Sequence, residues 1–190
     1  MGRPALLIID MQNDFVLEGK PLRVAGSAAV IPKIQSVLAE FRKRKLPVFH
    51  ILRVHRSDGS DVEIIRQDLF RKQPFAVAGT PGAAVIDELT PEAGEHVLTK
   101  TRMSAFIGTE LDLVLRTLHV TTLVVCGIQT PNCIRTTVFD GIAYNYPVVL
   151  VGDATGAASG EVHLANIRDM QNIGVKIVKS GDVAALLDAQ

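Results

Sequence analysis

Three residues far apart in the chain have the types and settings that covalent catalysis at a carbonyl requires. Asp10 directly follows the apolar run Leu6-Leu7-Ile8-Ile9, so a strand there would carry a carboxylate at its carboxyl end. Lys100 closes the run His96 to Thr99, and Cys133 follows the run Leu123 to Cys126 across the loop Gly127-Ile128-Gln129-Thr130-Pro131-Asn132. In an open parallel sheet ligands bind beyond the carboxyl ends of the strands. Neighbouring strands lie about 4.8 Å apart, so an acid, an ammonium and a thiol placed there can meet.

Thr130-Pro131 reads as an N-cap and first helical residue, which puts Cys133 in the first turn of a helix. Free amides and the positive end of the helix dipole favour a thiolate there, and a nearby Lys100 ammonium favours it further. The amides of Gln129 and Cys133 could stabilise a developing oxyanion, while Asp10 handles the proton. Taken one at a time, each residue has a plainer role. Cys133 could be core packing, Asp10 a turn cap, and Lys100 a solvated strand end. Cys126, inside an apolar run, reads as structural.

The elements that must position these residues are written in the hydrophobic pattern. Ala5 to Ile9, Val48 to Leu52, His96 to Thr99, Leu123 to Cys126, Val148 to Val151 and Val175 to Val178 are strand-length and rich in Val, Ile or Leu. Amphipathic segments separate them, a pattern of buried parallel strands joined by crossover helices. Val30, Ile34, Val37, Leu38 and Phe41 mark one helical face, and Pro47 stops that helix. Ile107 to Leu118, Cys133 to Tyr144 and Glu161 to Asn172 read as further helices, with a last one opening at Gly181-Asp182. The expected fold is a three-layer α/β/α, Rossmann-like domain on a six-stranded, mainly parallel sheet. The stretch from Arg53 to Gly82 is long and poorly periodic, a candidate lid.

Composition narrows the field. Among 190 residues, 20 Lys and Arg balance 20 Asp and Glu, so charge offers no basis for binding nucleic acid. With 47% hydrophobic and 21% charged residues the chain can bury a core, and no apolar window is long enough to span a bilayer. Residues 1–190 show no repeat or linker and read as one domain. The start lacks the features of a secretory signal, and two cysteines seven apart make neither a disulfide framework nor a zinc motif, so a reducing cytoplasm is expected. Neither a dinucleotide fingerprint nor a Walker motif follows the first strand, so no cofactor is expected.

Together the segments resemble the isochorismatase-like cysteine hydrolase superfamily over nearly the whole chain. Leu7-Ile8-Ile9-Asp10-Met11-Gln12-Asn13-Asp14-Phe15 is similar to its first-strand motif, and Lys100-Thr101-Arg102-Met103-Ser104-Ala105-Phe106 to its lysine segment. Gly127-Ile128-Gln129-Thr130-Pro131-Asn132-Cys133 resembles its nucleophile loop, and Gly152-Asp153-Ala154-Thr155 a structural turn. Through Gln129 to Arg135 the likeness is nearest to isochorismatase-like proteins of plants and bacteria. The resemblance implies a Cys133 nucleophile, an Asp10 general base and acid, and a stabilising Lys100, acting on an amide or ureide. It also implies a cis peptide at Ile128-Gln129 that aims the Gln129 amide into the oxyanion site, and self-association as a dimer or tetramer.

One departure stands out. Nicotinamidases of this family hold a metal with an Asp-x-His after the second strand and a further His, whereas this chain reads Arg53-Val54-His55. A cation cannot coordinate a cation, so no catalytic metal is expected. His50 reads as a hydrogen-bonded core residue and His55 as the one histidine near the mouth. Arg53 and Arg102 suit bidentate recognition of a carboxylate, which points to a small carboxylated amide or ureide. Either arginine could instead pair with Asp61 or Glu63 to order the lid. Phe15, Phe106 and Gln129 complete the expected pocket wall, the two phenylalanines being equally suited to the core. The rival readings are a vinyl-ether hydrolase of the isochorismatase type, a binding or assembly protein that has lost turnover, and a redox-sensing Cys133.

Overall fold

The computed structural model describes residues 2–20 and 22–189. Six strands form one sheet: β1 (Arg3–Ile9), β2 (Val48–Arg53), β3 (His96–Lys100), β4 (Val120–Ile128), β5 (Val148–Gly156) and β6 (Lys176–Val178). Their order is β3-β2-β1-β4-β5-β6, and every pairing is parallel. The expected fold class is borne out, with the sheet wholly rather than mainly parallel.

Strand alternation divides the interior into two cores. In β1, Leu6 and Ile8 face one side while Ala5, Leu7 and Ile9 face the other. The first core is closed by α2 (Ser27–Lys43) through Val30, Ile34, Val37, Leu38 and Phe41, and by α7 (Val183–Asp188). The second is closed by α4 (Leu111–Thr117), α5 (Arg135–Ala143) and α6 (Gly160–Asn172), through residues such as Leu115, Val138 and Met170. No helix among the described residues is long and apolar enough to cross a membrane.

Three local expectations are corrected. The helix expected from Ile107 begins at Leu111, because Gly108 adopts φ +68° and Thr109 bonds back to Ala105 before the helix opens. Cys133 precedes α5 in a wider, π-helical turn over Thr130–Ile134. Gly152-Asp153-Ala154-Thr155 is not a turn but part of β5, where the Asp153 carboxylate accepts the Ser180 amide and hydroxyl at 2.7 and 2.9 Å. Two short helices, α1 (Asn13–Val16) and α3 (Gln67–Lys72), lie in the loops above the strand ends.

Candidate active site

The sheet brings the carboxyl ends of β1, β2, β3 and β4 side by side, and each delivers one functional residue. At the end of β1 the chain turns at Asp10, whose φ of +54° is a left-handed conformation that aspartate tolerates better than most residues. Its amide bonds to Ile51 O at 2.9 Å, and the Val54 amide to Lys100 O at 3.0 Å, so the three strand ends are tied together. The Gln12 side chain adds a buried clamp. Its amide donates to Arg53 O and Ala83 O at 2.8 Å, and its carbonyl accepts the Arg53 amide at 2.7 Å. Gly127 on β4 packs so closely on β1 that a Cβ there would lie 2.2 Å from Ile9 O.

Asp10, Lys100 and Cys133 converge as expected. The Lys100 ammonium donates to Asp10 Oδ2 at 3.0 Å and to Arg102 O at 3.2 Å. Lys100 is only 2% exposed, which removes its reading as a solvated strand end. Asp10 Oδ1 is buried without a partner among the described residues, so the carboxylate keeps an acceptor in reserve. Arg53, 1% exposed, donates from Nη1 to Glu63 at 2.7 Å and from Nη2 to Cys133 Sγ at 3.7 Å.

The protonation of Cys133 differs from the helix-start expectation. Burial, and then the adjacent Asp10 carboxylate, push the thiol above its ordinary value, with Lys100 and Arg53 pulling the other way. These surroundings favour the thiol form of the sulfur beside the Asp10 carboxylate. Burial also works against the Arg53 charge, but the Asp10 and Glu63 carboxylates, joined by Cys133 when it is a thiolate, outweigh it and hold the guanidinium firmly protonated. Burial opposes the Glu63 charge too, yet its bond to Arg53 keeps the carboxyl below the usual range.

A cavity of about 370 Å³ opens over the sulfur, lined among others by Asp10, Phe15, Arg53, Ile128, Gln129 and Cys133. Its mouth carries Arg23, Arg66 and Leu69, which spacing alone did not single out. The Ile128-Gln129 peptide is cis. Gln129 O accepts the amides of Asn132 and Ile134 at 3.1 and 3.2 Å, which fixes the loop ahead of Cys133. Thr130 does not cap the turn as expected. Its hydroxyl donates to Gly156 O at 3.1 Å and lies 2.8 Å from His163 Nδ1, pinning the turn to β5 and α6.

Several expected wall residues lie elsewhere. Phe106 is stacked on Tyr144 and Tyr146 within the second core. Arg102 donates to Asp61 O at 2.7 Å and does not line the cavity, so it orders the segment from Arg53 to Gly82. Arg53 does both, since its Glu63 partner belongs to that segment. His55 is fully buried against Phe70 and Phe75, with Nδ1 3.2 Å from Asp61, and not at the mouth. His50 bonds Glu95 at 2.9 Å inside the fold.

The model of the isochorismatase domain matches residues 4–182. The chain belongs to the isochorismatase family. It is 46% identical over 176 residues to a probable inactive nicotinamidase of Arabidopsis thaliana, covering 90% of each chain. It is 30% identical to the N-carbamoylsarcosine amidase of an Arthrobacter species, over 99% of this chain and 72% of that one. A crystal structure of an isochorismatase family protein from Desulfovibrio vulgaris superposes with a TM-score of 0.95 at 46% identity, covering 99% of this chain and all of the other.

One solved relative, the pyrazinamidase of Pyrococcus horikoshii, was crystallised in complex with zinc. The residues after β2 here do not suit such an ion. A buried guanidinium stands at Arg53, His55 is engaged with Asp61, and the described residues hold no group of three His, Cys, Asp or Glu side chains able to bind a metal.

Proposed function

We propose that this chain hydrolyses a C–N bond of a small amide or ureide bearing a carboxylate, through a Cys133 acyl-enzyme. The observation that carries this reading is the Cys133 sulfur on the same cavity as an Asp10 carboxylate that gives one oxygen to Lys100 and keeps the other unpartnered among the described residues. Asp10 removes the thiol proton as Sγ bonds to the carbonyl carbon, and the C=O electron pair moves to oxygen. The amides of Gln129 and Cys133 are the oxyanion donors in this reading, and Lys100 holds the charge of Asp10 in place. Collapse of the tetrahedral adduct expels the amine, which takes the proton from Asp10. Water, deprotonated by the same carboxylate, then attacks the thioester carbon, and the departing Cys133 sulfur takes that proton from Asp10 as the carboxylic or carbamic acid product leaves.

The arginines on the cavity support a negatively charged substrate. Arg66 has no ion-pair partner among the described residues, and the only one of Arg23 is the exposed Glu18. Relatives named as an N-carbamoylsarcosine amidase and a maleamate amidohydrolase fit an anionic amide. The test is ammonia release from nicotinamide, ureidoacrylate, carbamoyl amino acids, biuret and maleamate. Turnover is expected on the carboxylated members and is abolished in Cys133→Ala. Ammonia release that survives in Cys133→Ala overturns the covalent mechanism.

The plant relative's name favours a second reading, a scaffold that binds without turnover. Under it, no substrate would leave a thioester mass on Cys133 and none would yield ammonia.

A further inference from the structure

We infer that Arg53 is a fourth catalytic residue, a guanidinium that stabilises the Cys133 thiolate as the proton leaves, with Glu63 as the positioning residue that tempers its charge. The inference builds on the acyl-enzyme reading for its use, but it stands on geometry of its own. Arg53 is the largest fully buried side chain among the described residues, and burying a guanidinium is expensive unless its charge is used or paired. Its two terminal nitrogens do different things. Nη1 meets Glu63 at 2.7 Å, while Nη2 faces the sulfur at 3.7 Å, within reach of a charge-assisted bond to a thiolate. A thiol gains little from that contact, whereas a thiolate gains much, so the interaction strengthens as the reaction starts.

Two cations flank the sulfur, and of the two only Arg53 has a hydrogen-bond contact with it among the described residues. Asp10 approaches from the end of β1, Lys100 from β3 and Arg53 from β2, and Lys100 is already committed to Asp10. When the proton passes from sulfur to Asp10, the carboxylate charge disappears and a sulfur anion appears in its place. Lys100 then loses its anionic partner, and Arg53 is the cation in contact with the new charge. Arg53 keeps all its protons throughout. Glu63 reaches in from the segment after β2, its Oε2 buried and without a hydrogen-bond partner among the described residues, and offsets part of the Arg53 charge in the resting state. Arg66 and Arg23 line the mouth of the same cavity.

The test reads the sulfur directly, as the second-order rate of Cys133 alkylation by iodoacetamide at a fixed alkaline pH in the whole protein. Arg53→Gln is expected to slow alkylation about tenfold, the equivalent of one pKa unit. Glu63→Gln, which keeps an acceptor oxygen for Arg53, is expected to accelerate it about threefold by leaving the guanidinium uncompensated. Arg53→Lys should recover part of the rate, because it keeps the charge without the fork. Opposite signs for the two glutamine variants are the signature, since mere loosening of the site would move both the same way. Equal rates in wild type and Arg53→Gln, or changes of one sign, overturn the inference. Should Arg53→Gln fail to fold, Glu63→Gln decides alone: a slowed or unchanged rate refutes it. A wild type that releases no ammonia from any amide yet shows the opposed shifts keeps the Arg53 stabilisation of the Cys133 thiolate and its tempering by Glu63, and removes the hydrolase reading together with the catalytic use of Arg53.

Discussion

Replacing Lys100 with Met should destabilise the fold sharply, while replacing both Lys100 and its partner should not. Lys100 and Asp10 form an ion pair at 3.0 Å with both side chains nearly sealed from water. Removing one member of such a pair leaves an uncompensated buried charge, at a cost of about 3–5 kcal/mol. Arg53 stands close enough to offset some of the stranded Asp10 charge, which places Lys100→Met near about 3 kcal/mol. In a chain of 190 residues that corresponds to a fall in Tm on the order of 10 °C. The double variant Asp10→Asn, Lys100→Met holds no stranded charge and should recover most of the loss, with a coupling of about 2 kcal/mol or more. Urea unfolding followed by circular dichroism, with thermal melts alongside, gives all four corners of the cycle. Additive losses, or a Lys100→Met variant as stable as wild type, would refute the reasoning that these charges depend on each other.

Three further outcomes follow from the same structure. Because burial and Asp10 hold the Cys133 thiol above its ordinary value of 9.0, its alkylation rate should still be climbing beyond that pH. A plateau near neutrality in a stopped-time mass assay contradicts it. Gly127→Ala would set a Cβ 2.2 Å from Ile9 O at a φ of +113°, so it should cost about 3 kcal/mol or more, seen as a collapse in Tm or soluble yield. Burial lowers the pKa of His50 and His55 from 6.5, so the unfolded chain takes protons below that pH which the folded chain refuses, and stability declines as pH falls through it. Glu95 adds a second acid limb. Although burial opposes its charge, Arg42, the Glu92 amide and His50 hold it down to about 2 from 4.5, so its contribution is complete above 4.5 and fades toward 2. In a series of melts against pH, Glu95→Gln should flatten that lower limb, and parallel curves for the two proteins would count against the assignment.

The sequence carried the convergence of Asp10, Lys100 and Cys133 because Asp10 and Lys100 close apolar runs and Cys133 follows one across a short loop, and strand ends in a parallel sheet share one rim. The six strands were legible for the same reason, since runs buried on both faces cannot be written in polar residues. Side-chain direction was not legible. Phe106 and Arg102 belong to the same motif as Lys100, yet the chain turns after β3 and sends one into the second core and the other to Asp61. Arg23 reaches the cavity from a loop, and Arg66 and Leu69 from short helical turns inside the long segment after β2, whose course has no periodic signal. Thr130 was misread because a Thr-Pro pair before a helix suits a cap, while here the hydroxyl has a stronger claim on Gly156 and His163. The raised Cys133 thiol was likewise hidden, because desolvation depends on what packs around the sulfur and not on its place in a helix.

The two cysteines end in contrasting surroundings. Cys126 is sealed within β4, its thiol pushed far up by burial, while Cys133 borders a cavity open to small molecules. The native chain therefore offers a single addressable sulfur without any engineering. A fluorophore or spin label added to the unmodified protein would sit beneath the segment that carries Arg66 and Leu69, and its motion would track that segment in solution. Counting with a chromogenic disulfide reagent should give one equivalent before denaturant and two after it, which makes the same pair of side chains a built-in gauge of folding.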